Sequence, residues 1–539
     1  MHSEFRLSEL IDTSEVRDRL GKGDPAITAI AYDSRECLPG CVFFALPGAH
    51  VDGHRFIPQA IERGAAAIVQ TMPVNRNTPD ASRSDVVRLQ VDNARVLLSR
   101  AAARFYGDPS RKLTVIGVTG TDGKSTTVYF LYQLLAALGK PAGFISTVAL
   151  NTRGEVRKNT MRQSTPEAPD LHKMLAEMLE NGLRYAIVEA TSHGLSLRTA
   201  RLADIAFDVA VCTNISHDHL EFHGTPEQYR NDKANLLRAL DRDIAASPDG
   251  TARVPRVTRG REEHTPAASK RFAVLNRDDD GSRSLSAHTR QPVLWYSLRD
   301  AGADLFADEL HEELDGSSFR LRSGSQQAQA RITLGGRFNL ENALAAALAV
   351  RGLFRVHLEE IAALLPALEG VAGRMITVTA PDHPFTVIVD YAHTPASFEK
   401  LFPMIAARTR GGIIPVFSSA GERDLEKRPI LGEIAARYSQ MVILADEDPR
   451  GEEPLAILEA VAAGCMRVRP EWRRGRELQI IPHRPSAIRA ALRAAEPGDT
   501  VLLLGKGHEG NIIYADGAVE WDEEAEARRA LQELNSAMV

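Results

Sequence analysis

The chain has 539 residues, a formal net charge of -6, 44% hydrophobic and 25% charged residues. That is too long for one ordinary core, so two to four domains of a soluble globular protein are expected, and the charge gives no electrostatic case for a nucleic-acid partner. No run approaches the roughly 18 unbroken apolar residues of a membrane span, the first twenty residues alternate charged with apolar side chains unlike a signal peptide, and Cys37, Cys41, Cys212 and Cys465 are too scattered for a disulfide framework or metal knuckle, so a reducing cytoplasm is expected.

Residues 1–112 hold short strand candidates, Ile27–Tyr32, Val42–Leu46 and Ala66–Val69, between turn-rich pieces, predicting a small α/β domain. From 113 to 370, strands Val115–Val118, Ala186–Glu189 and Val209–Thr213 alternate with helical stretches, predicting a doubly wound parallel sheet whose ligands gather at the carboxyl ends of its strands. In that part, GVTGTDGKSTT (Gly117–Thr127) follows the apolar run Leu113–Ile116 and precedes the helical spacing of Val128–Leu138. It reads as strand, phosphate loop and helix in a variant GTxGK[ST] spacing. Gly117, Gly120 and Gly123 let backbone N–H groups turn on a polyphosphate, Lys124 reaches the outer phosphates, and Ser125 or Thr126 can hold Mg²⁺, so ATP or a close relative is the expected ligand. Residues 241–270 shift to Asp, Arg, Ser, Gly and Pro and read as a surface insertion, after which Phe272–Leu275 returns to the sheet. From 371 to 539, strands Thr386–Asp390, Ile413–Phe417, Met441–Ala445 and Thr500–Leu504 alternate with helices, predicting a third, Rossmann-like domain.

Glu189 ends its strand near the phosphate loop, where a second Mg²⁺ ligand belongs, with a solvated strand-end acid as the alternative. ISHDHLEFHGT sets His217, Asp218, His219, Glu221 and His223 close together; the spacing tempts a zinc reading, but hard oxygen ligands favour a nucleotide-linked Mg²⁺. Lys233 is either a surface lysine or, deprotonated beside Mg²⁺, a group that adds CO₂ and becomes an anionic carbamate. Asn339 and Asn342 near a helix start suit a purine edge or a helix cap. Asp390 offers an acceptor for ribose hydroxyls or an ordered water, and Arg423 with Lys427 could grip a carboxylate. Glu447, Asp448 and Arg450 in one turn could read an amino acid's ammonium and carboxylate together, and Gly505, Lys506, His508 and Glu509 are read as exposed at the tip of the last strand.

Together these strings resemble the Mur ligase family, ATP-dependent amide-forming enzymes of peptidoglycan synthesis, and within it the MurE type that adds the third amino acid. The resemblance spans nearly the whole chain except residues 241–270. It implies a UDP-sugar-binding domain over 1–112, with Ser34, Arg35 and the loop from Gly48 to His54 near the UDP; an ATP-binding central domain over 113–370; and an amino-acid-binding domain over 371–539. It places Thr121 and Asp122 in the ATP loop, Asn342, Arg374 and Asp390 on adenosine, and Ser164, Thr165, Thr191, Ser192 and Arg201 on the UDP-muramoyl dipeptide. Glu189 and His219 fall near Mg²⁺ with Ser125, and Lys233 on the family's carbamylated lysine. Arg423, Glu447, Asp448, Pro449, Arg450, Gly505 and Glu509 fall on the amino-acid site.

Diaminopimelate-adding enzymes of this type usually read DNPR where this chain has Glu447-Asp448-Pro449-Arg450, and lysine-adding relatives generally lack that arginine. The retained arginine favours meso-diaminopimelate, whereas the additional acid could favour ornithine. The loop usually written GCGGDRD reads SSAGERD here. The implied reaction starts with attack of a D-Glu carboxylate on the γ-phosphoryl of ATP; an amine then attacks the resulting acyl phosphate, with His219 or a nearby carboxylate as base. A monomer is expected, with Lys124, Glu189, His219 and Lys233 as the catalytic set. The rivals are a folylpolyglutamate or cyanophycin synthetase-like ligase, against which the Asp33–His54 segment argues, and a non-catalytic nucleotide switch.

Overall fold

The structure, a computed structural model, describes residues 5–48, 51–74, 86–159, 161, 163–216, 220–242, 271–313, 316–371, 373–380 and 382–537. His217, Asp218 and His219, the Glu221 side chain, and residues 243–270 of the segment read as an insertion lie outside the described residues. By internal packing the chain divides into two compact units: Met1–Asp308 with Arg320–Ala330 and Glu341–Leu365, and Glu309–Phe319 with Arg331–Leu340 and Pro366–Val539.

In the first unit a five-stranded sheet runs in the order Val16–Leu20, Val87–Val91, Ala67–Gln70, Cys41–Phe44, Ala29–Ala31, parallel except for its first pair. Alternation along Cys41–Phe44 sends Val42 and Phe44 toward the helix Ala94–Phe105 and Phe43 toward Ile57 and Ile61, so both faces are covered. Asn93 caps that helix by accepting from Arg95 and Val96 N–H groups. The sheet is fastened to the rest of its unit by Arg100, which pairs with Asp204, and by Tyr32, whose hydroxyl donates to Asp170 at 2.7 Å.

The larger sheet has eleven strands, and its parallel centre runs Ala142–Ile145, Tyr185–Glu189, Thr114–Thr119, Val209–Cys212, Phe272–Asn276, Val293–Ser297. The chain leaves Thr114–Thr119 on one side and returns on the other, so the strand order reverses there. This is the switch point where an open α/β sheet leaves a crevice at its carboxyl edge. Strands Leu305–Glu313, Gly316–Ser323 and Gln326–Ile332 extend the sheet and were not anticipated. In the last two, buried residues largely alternate with exposed or half-exposed polar ones, so no apolar run marks them.

In the second unit the sheet order is Ile376–Thr377, Thr386–Asp390, Thr500–Leu504, Ile413–Phe417, Val442–Leu444, Leu478–Ile480, with all but the first pair parallel. Leu431, Ala435, Val461 and Cys465 cover one face, and Ala487, Ile488, Ala491 and Leu531 the other. The α/β class, the phosphate loop on a doubly wound sheet and the Rossmann-like last domain are as the sequence led us to expect. Cys37, Cys41, Cys212 and Cys465 are all free and buried. No described helix is long and apolar enough to cross a membrane.

Candidate active site

The phosphate loop joins strand Thr114–Thr119 to helix Lys124–Ala137. Gly120 has φ +149°, and a Cβ there would lie 1.9 Å from Thr213 Oγ1; Gly123 has φ +80°, and its Cβ would lie 2.2 Å from Asn342 Oδ1. Both positions need glycine for conformation and for space. The loop is held from the next strand, since Thr213 Oγ1 donates to the Asp122 carbonyl (2.6 Å) and Asp122 N donates to Asn214 Oδ1 (3.0 Å). Lys124 Nζ donates to Thr121 O at 2.8 Å. Asn342, 4% exposed, lies five residues into the helix Arg337–Phe354, so the capping alternative for it falls away. Asn339 donates instead to Gly335 O at 2.8 Å, tying down the turn before that helix.

Glu189, 2% exposed, is no solvated strand end. Its carboxylate accepts from Ser125 Oγ, Thr147 N and Thr147 Oγ1, each at 2.9 Å. A serine hydroxyl in the first turn of the helix after the phosphate loop and a carboxylate at the carboxyl end of the adjacent strand are the hard oxygen donors that suit Mg²⁺. Lys233, 1% exposed, is not the surface lysine of the default reading; it donates to Gly120 O at 2.6 Å and lies over the Tyr229 ring. His223 is taken up by Asp232 (2.7 Å) and Ser192 Oγ (3.0 Å). Among the described residues no group of three or more His, Cys, Asp or Glu could hold a metal; His217, Asp218 and His219, on which the zinc reading turns, lie outside the described residues.

Around the same strand end, Thr165 Oγ1 donates to Glu189 O (3.0 Å) and contacts Thr191 Oγ1 (2.9 Å), and Arg201 donates to Thr165 O (3.1 Å) and Glu167 (3.0 Å). Thr165, Thr191, Ser192 and Arg201 are thus brought together, with Ser164 adjoining. In the five-stranded domain Ser34 donates to Gln59 (2.8 Å), Arg35 is held by Asp33, and His54 has both ring nitrogens engaged, by Asp52 and by the Thr71 N–H.

In the second unit the strand tips converge. Asp390 closes its own turn by accepting from Ala392 N (2.7 Å) and ties in the preceding segment by accepting from Met375 N (2.8 Å), and the Arg374 guanidinium stacks 4.5 Å from the centre of the Tyr391 ring. None of the four residues read as exposed at the tip of strand Thr500–Leu504 is so: Gly505 and Lys506 are buried and His508 and Glu509 half-buried. Lys506 donates to Asp448 (2.7 Å) and Glu509 (2.5 Å). Glu509 also accepts from Tyr391 OH at 3.2 Å. Glu447 is buried against Gly505, where a Cβ would meet Glu447 Oε2 at 2.6 Å, and that oxygen has no protein partner among the described residues. Burial pushes the Glu447 carboxyl above its usual range, opposed by Lys427, Lys506 and Arg484. Arg450 has φ +57°, a strained backbone for a side-chain-bearing residue, and its Nε is buried without a partner among the described residues. Gly421 ties the SSAGERD loop to this turn: it donates to Asp448 O (2.8 Å), and a Cβ there would lie 1.9 Å from Pro449 O. Arg423 itself is exposed.

Three family models match in order: the Mur ligase family catalytic domain over 26–106, the Mur ligase middle domain over 118–251 and 263–350, and the Mur ligase glutamate ligase domain over 373–507. The UDP-N-acetylmuramyl-tripeptide synthetase of Roseiflexus sp. (strain RS-1) is 47% identical over 95% of this chain and 96% of its own length. The chain belongs to the Mur ligase family. Another relative is the UDP-N-acetylmuramoyl-L-alanyl-D-glutamate--2,6-diaminopimelate ligase of Geobacillus kaustophilus, 37% identical over 95% of this chain and 96% of that protein. A solved structure of a ligase of that same name has a TM-score of 0.63 at 25% identity, covering 99% of this chain and all of the other. The Mur ligase middle-domain match breaks between 251 and 263, within the 241–270 segment that the sequence reads as an insertion.

Sequence reasoning missed Thr147, which supplies two of the three hydrogen bonds to Glu189, and Thr213 and Asn214, which hold the phosphate loop. The TN after strand Val209–Cys212 was a usable signal, because polar side chains at a strand end beside a switch point face the ligand crevice. Arg484 and Glu523 gave none, since each is one of several charges in a helical stretch.

Proposed function

We propose that this Mur ligase joins a diamino acid, meso-diaminopimelate, to UDP-N-acetylmuramoyl-L-Ala-D-Glu, with ATP cleaved to ADP and phosphate. The observation that carries the ligase reading is the phosphate loop whose Ser125 hydroxyl is bonded to a buried Glu189. A Mg²⁺ bound by Ser125, Glu189 and a carbamylated Lys233, with His219, would neutralise charge on the transferring phosphoryl group. Lys124 adds a positive charge at the outer phosphates, and Asn342, Arg374 and Asp390 are assigned to the adenosine. Ser34, Arg35, His54, Ser164, Thr165, Thr191, Ser192 and Arg201 are assigned to the UDP substrate, which orients the D-Glu carboxylate toward the γ-phosphoryl group. The acyl phosphate so formed is attacked by the free amine of the amino acid, and phosphate leaves. His219 is the assigned base, and the compartment is the cytoplasm.

The third amino acid is assigned to Arg423, Glu447, Asp448, Pro449, Arg450, Gly505 and Glu509. Meso-diaminopimelate carries a second carboxylate, and the unpartnered buried Nε of Arg450 supports a ligand of that charge. Asp448, an acid where diaminopimelate-adding enzymes usually have asparagine, favours a lone ammonium and keeps ornithine as the second reading. The test offers the purified protein the UDP-muramoyl dipeptide and ATP with diaminopimelate, lysine and ornithine in parallel and weighs each product. Exclusive formation of the ornithine or lysine tripeptide would reverse the specificity, and no product with any of the three would remove the tripeptide-synthetase assignment.

A further inference from the structure

Arg484, 1% exposed, and Glu523, fully buried, form an ion pair inside the second unit. The guanidinium donates through Nε to Glu523 Oε2 (2.9 Å) and through Nη2 to Oε1 (2.6 Å), and Trp521 Nε1 donates to the same carboxylate at 2.6 Å. The rest of the fork goes to backbone: Nη1 donates to Asp446 O (3.2 Å) and Nη2 to Leu504 O (2.7 Å). Those carbonyls follow or end the strands Val442–Leu444 and Thr500–Leu504, which are not neighbours, since Ile413–Phe417 lies between them. No ladder hydrogen bond joins these two tips directly; Arg484 bridges them at the backbone, donating to a carbonyl of each.

Immediately beyond Asp446 come Glu447 and Asp448, and immediately beyond Leu504 come Gly505 and Lys506. The tips meet closely, with Lys506 on Asp448 and Glu447 packed on the Gly505 backbone. A buried ion pair is a poor stability device, because apolar residues of equal volume often serve as well. Its fork, however, is rigid and directional where an apolar pair would slide. We propose that Arg484, oriented by Glu523 and Trp521, is a positioning residue that sets the spacing of the two strand tips and thereby the affinity for the incoming amino acid. This rests on the assignment of those tips to the amino-acid site.

The full-length protein is assayed as R484K, which keeps the charge but loses the fork, and as the double variant R484M/E523M, which replaces the pair by apolar residues and leaves no lone buried charge. KM is measured for the amino acid, ATP and the UDP-muramoyl dipeptide, with R450A in parallel. Both Arg484 variants are expected to raise the amino-acid KM about tenfold or more while the other two KM values stay within about twofold. An unchanged amino-acid KM in a folded variant overturns the proposal, as does an equal rise in all three KM values, which marks general structural damage. Should the double variant fail to fold, R484K decides alone on the same criteria. If R450A raises the amino-acid KM and the Arg484 variants do not, the positioning role alone fails; if R450A leaves it unchanged, the assignment of the tips fails first.

Discussion

Replacing Gly120 by alanine should disable nucleotide binding with little loss of fold. The new Cβ would sit 1.9 Å from Thr213 Oγ1 and 3.2 Å from Thr213 Cβ, at φ +149°. Holding a side-chain-bearing residue in such a backbone region costs about 1–3 kcal/mol. Relief of the collision requires Thr213 to swing away, breaking its 2.6 Å bond to the Asp122 carbonyl, which costs about 1 kcal/mol more. The loop therefore leaves its conformation at a cost of roughly 2–4 kcal/mol, and the KM for ATP in a coupled ADP-release assay should rise about 30-fold or more. Thr213→Ala removes the colliding oxygen, so the G120A/T213A double variant should be better than the sum of the two single changes by about 1 kcal/mol in a double-mutant cycle. An ATP KM for G120A equal to wild type, or strictly additive effects, would refute the claim that Thr213 shapes the phosphate loop.

His172 is fully buried with neither ring nitrogen partnered among the described residues, and burial pushes its pKa down to about 3. The unfolded chain binds the proton first, so stability present above pH 6.5 is lost as the pH falls toward 3; at pH 5 the loss is about 2 kcal/mol. His172→Leu should melt at higher temperature than wild type at pH 7.5 and lose less on going to pH 5; equal losses in both proteins would count against it. Glu189→Gln keeps the shape of a group that accepts from Ser125 and Thr147 but removes its charge. It should lower kcat about 100-fold or more and raise the Mg²⁺ requirement with little change in melting temperature, and a normal Mg²⁺ titration would remove Glu189 from the metal site. Asp448→Asn preserves an acceptor for Lys506 and Ile513 N. It should shift the kcat/KM ratio of diaminopimelate to ornithine upward by about tenfold, or ~1.4 kcal/mol, and an unchanged ratio means that Asp448 does not read the side-chain charge.

Much of this was legible because the chemistry sits at strand ends. Strands Thr386–Asp390, Ile413–Phe417 and Thr500–Leu504 are buried on both faces and appear in the sequence as unbroken apolar runs that stop at a polar tip. Gly120 and Gly123 were visible for the same reason, since a glycine-rich turn between an apolar run and a helix has few other uses. What stayed hidden is what depends on distant pairing. Lys506 looks like a loop charge until the fold buries it between Asp448, 58 residues away, and Glu509. Arg484 and Glu523 are 39 residues apart and acquire meaning only as a pair. The strands Gly316–Ser323 and Gln326–Ile332 carry largely period-two burial on a polar background, which composition disguises.

Transfer of oxygen from substrate carboxylate to phosphate tests the account most directly. With ¹⁸O placed in the D-Glu γ-carboxylate of the UDP-muramoyl dipeptide, turnover with ATP and the accepted amino acid should deliver one labelled oxygen to the released inorganic phosphate in step with amide formation. Phosphate released without label while amide accumulates would contradict attack of the carboxylate on ATP.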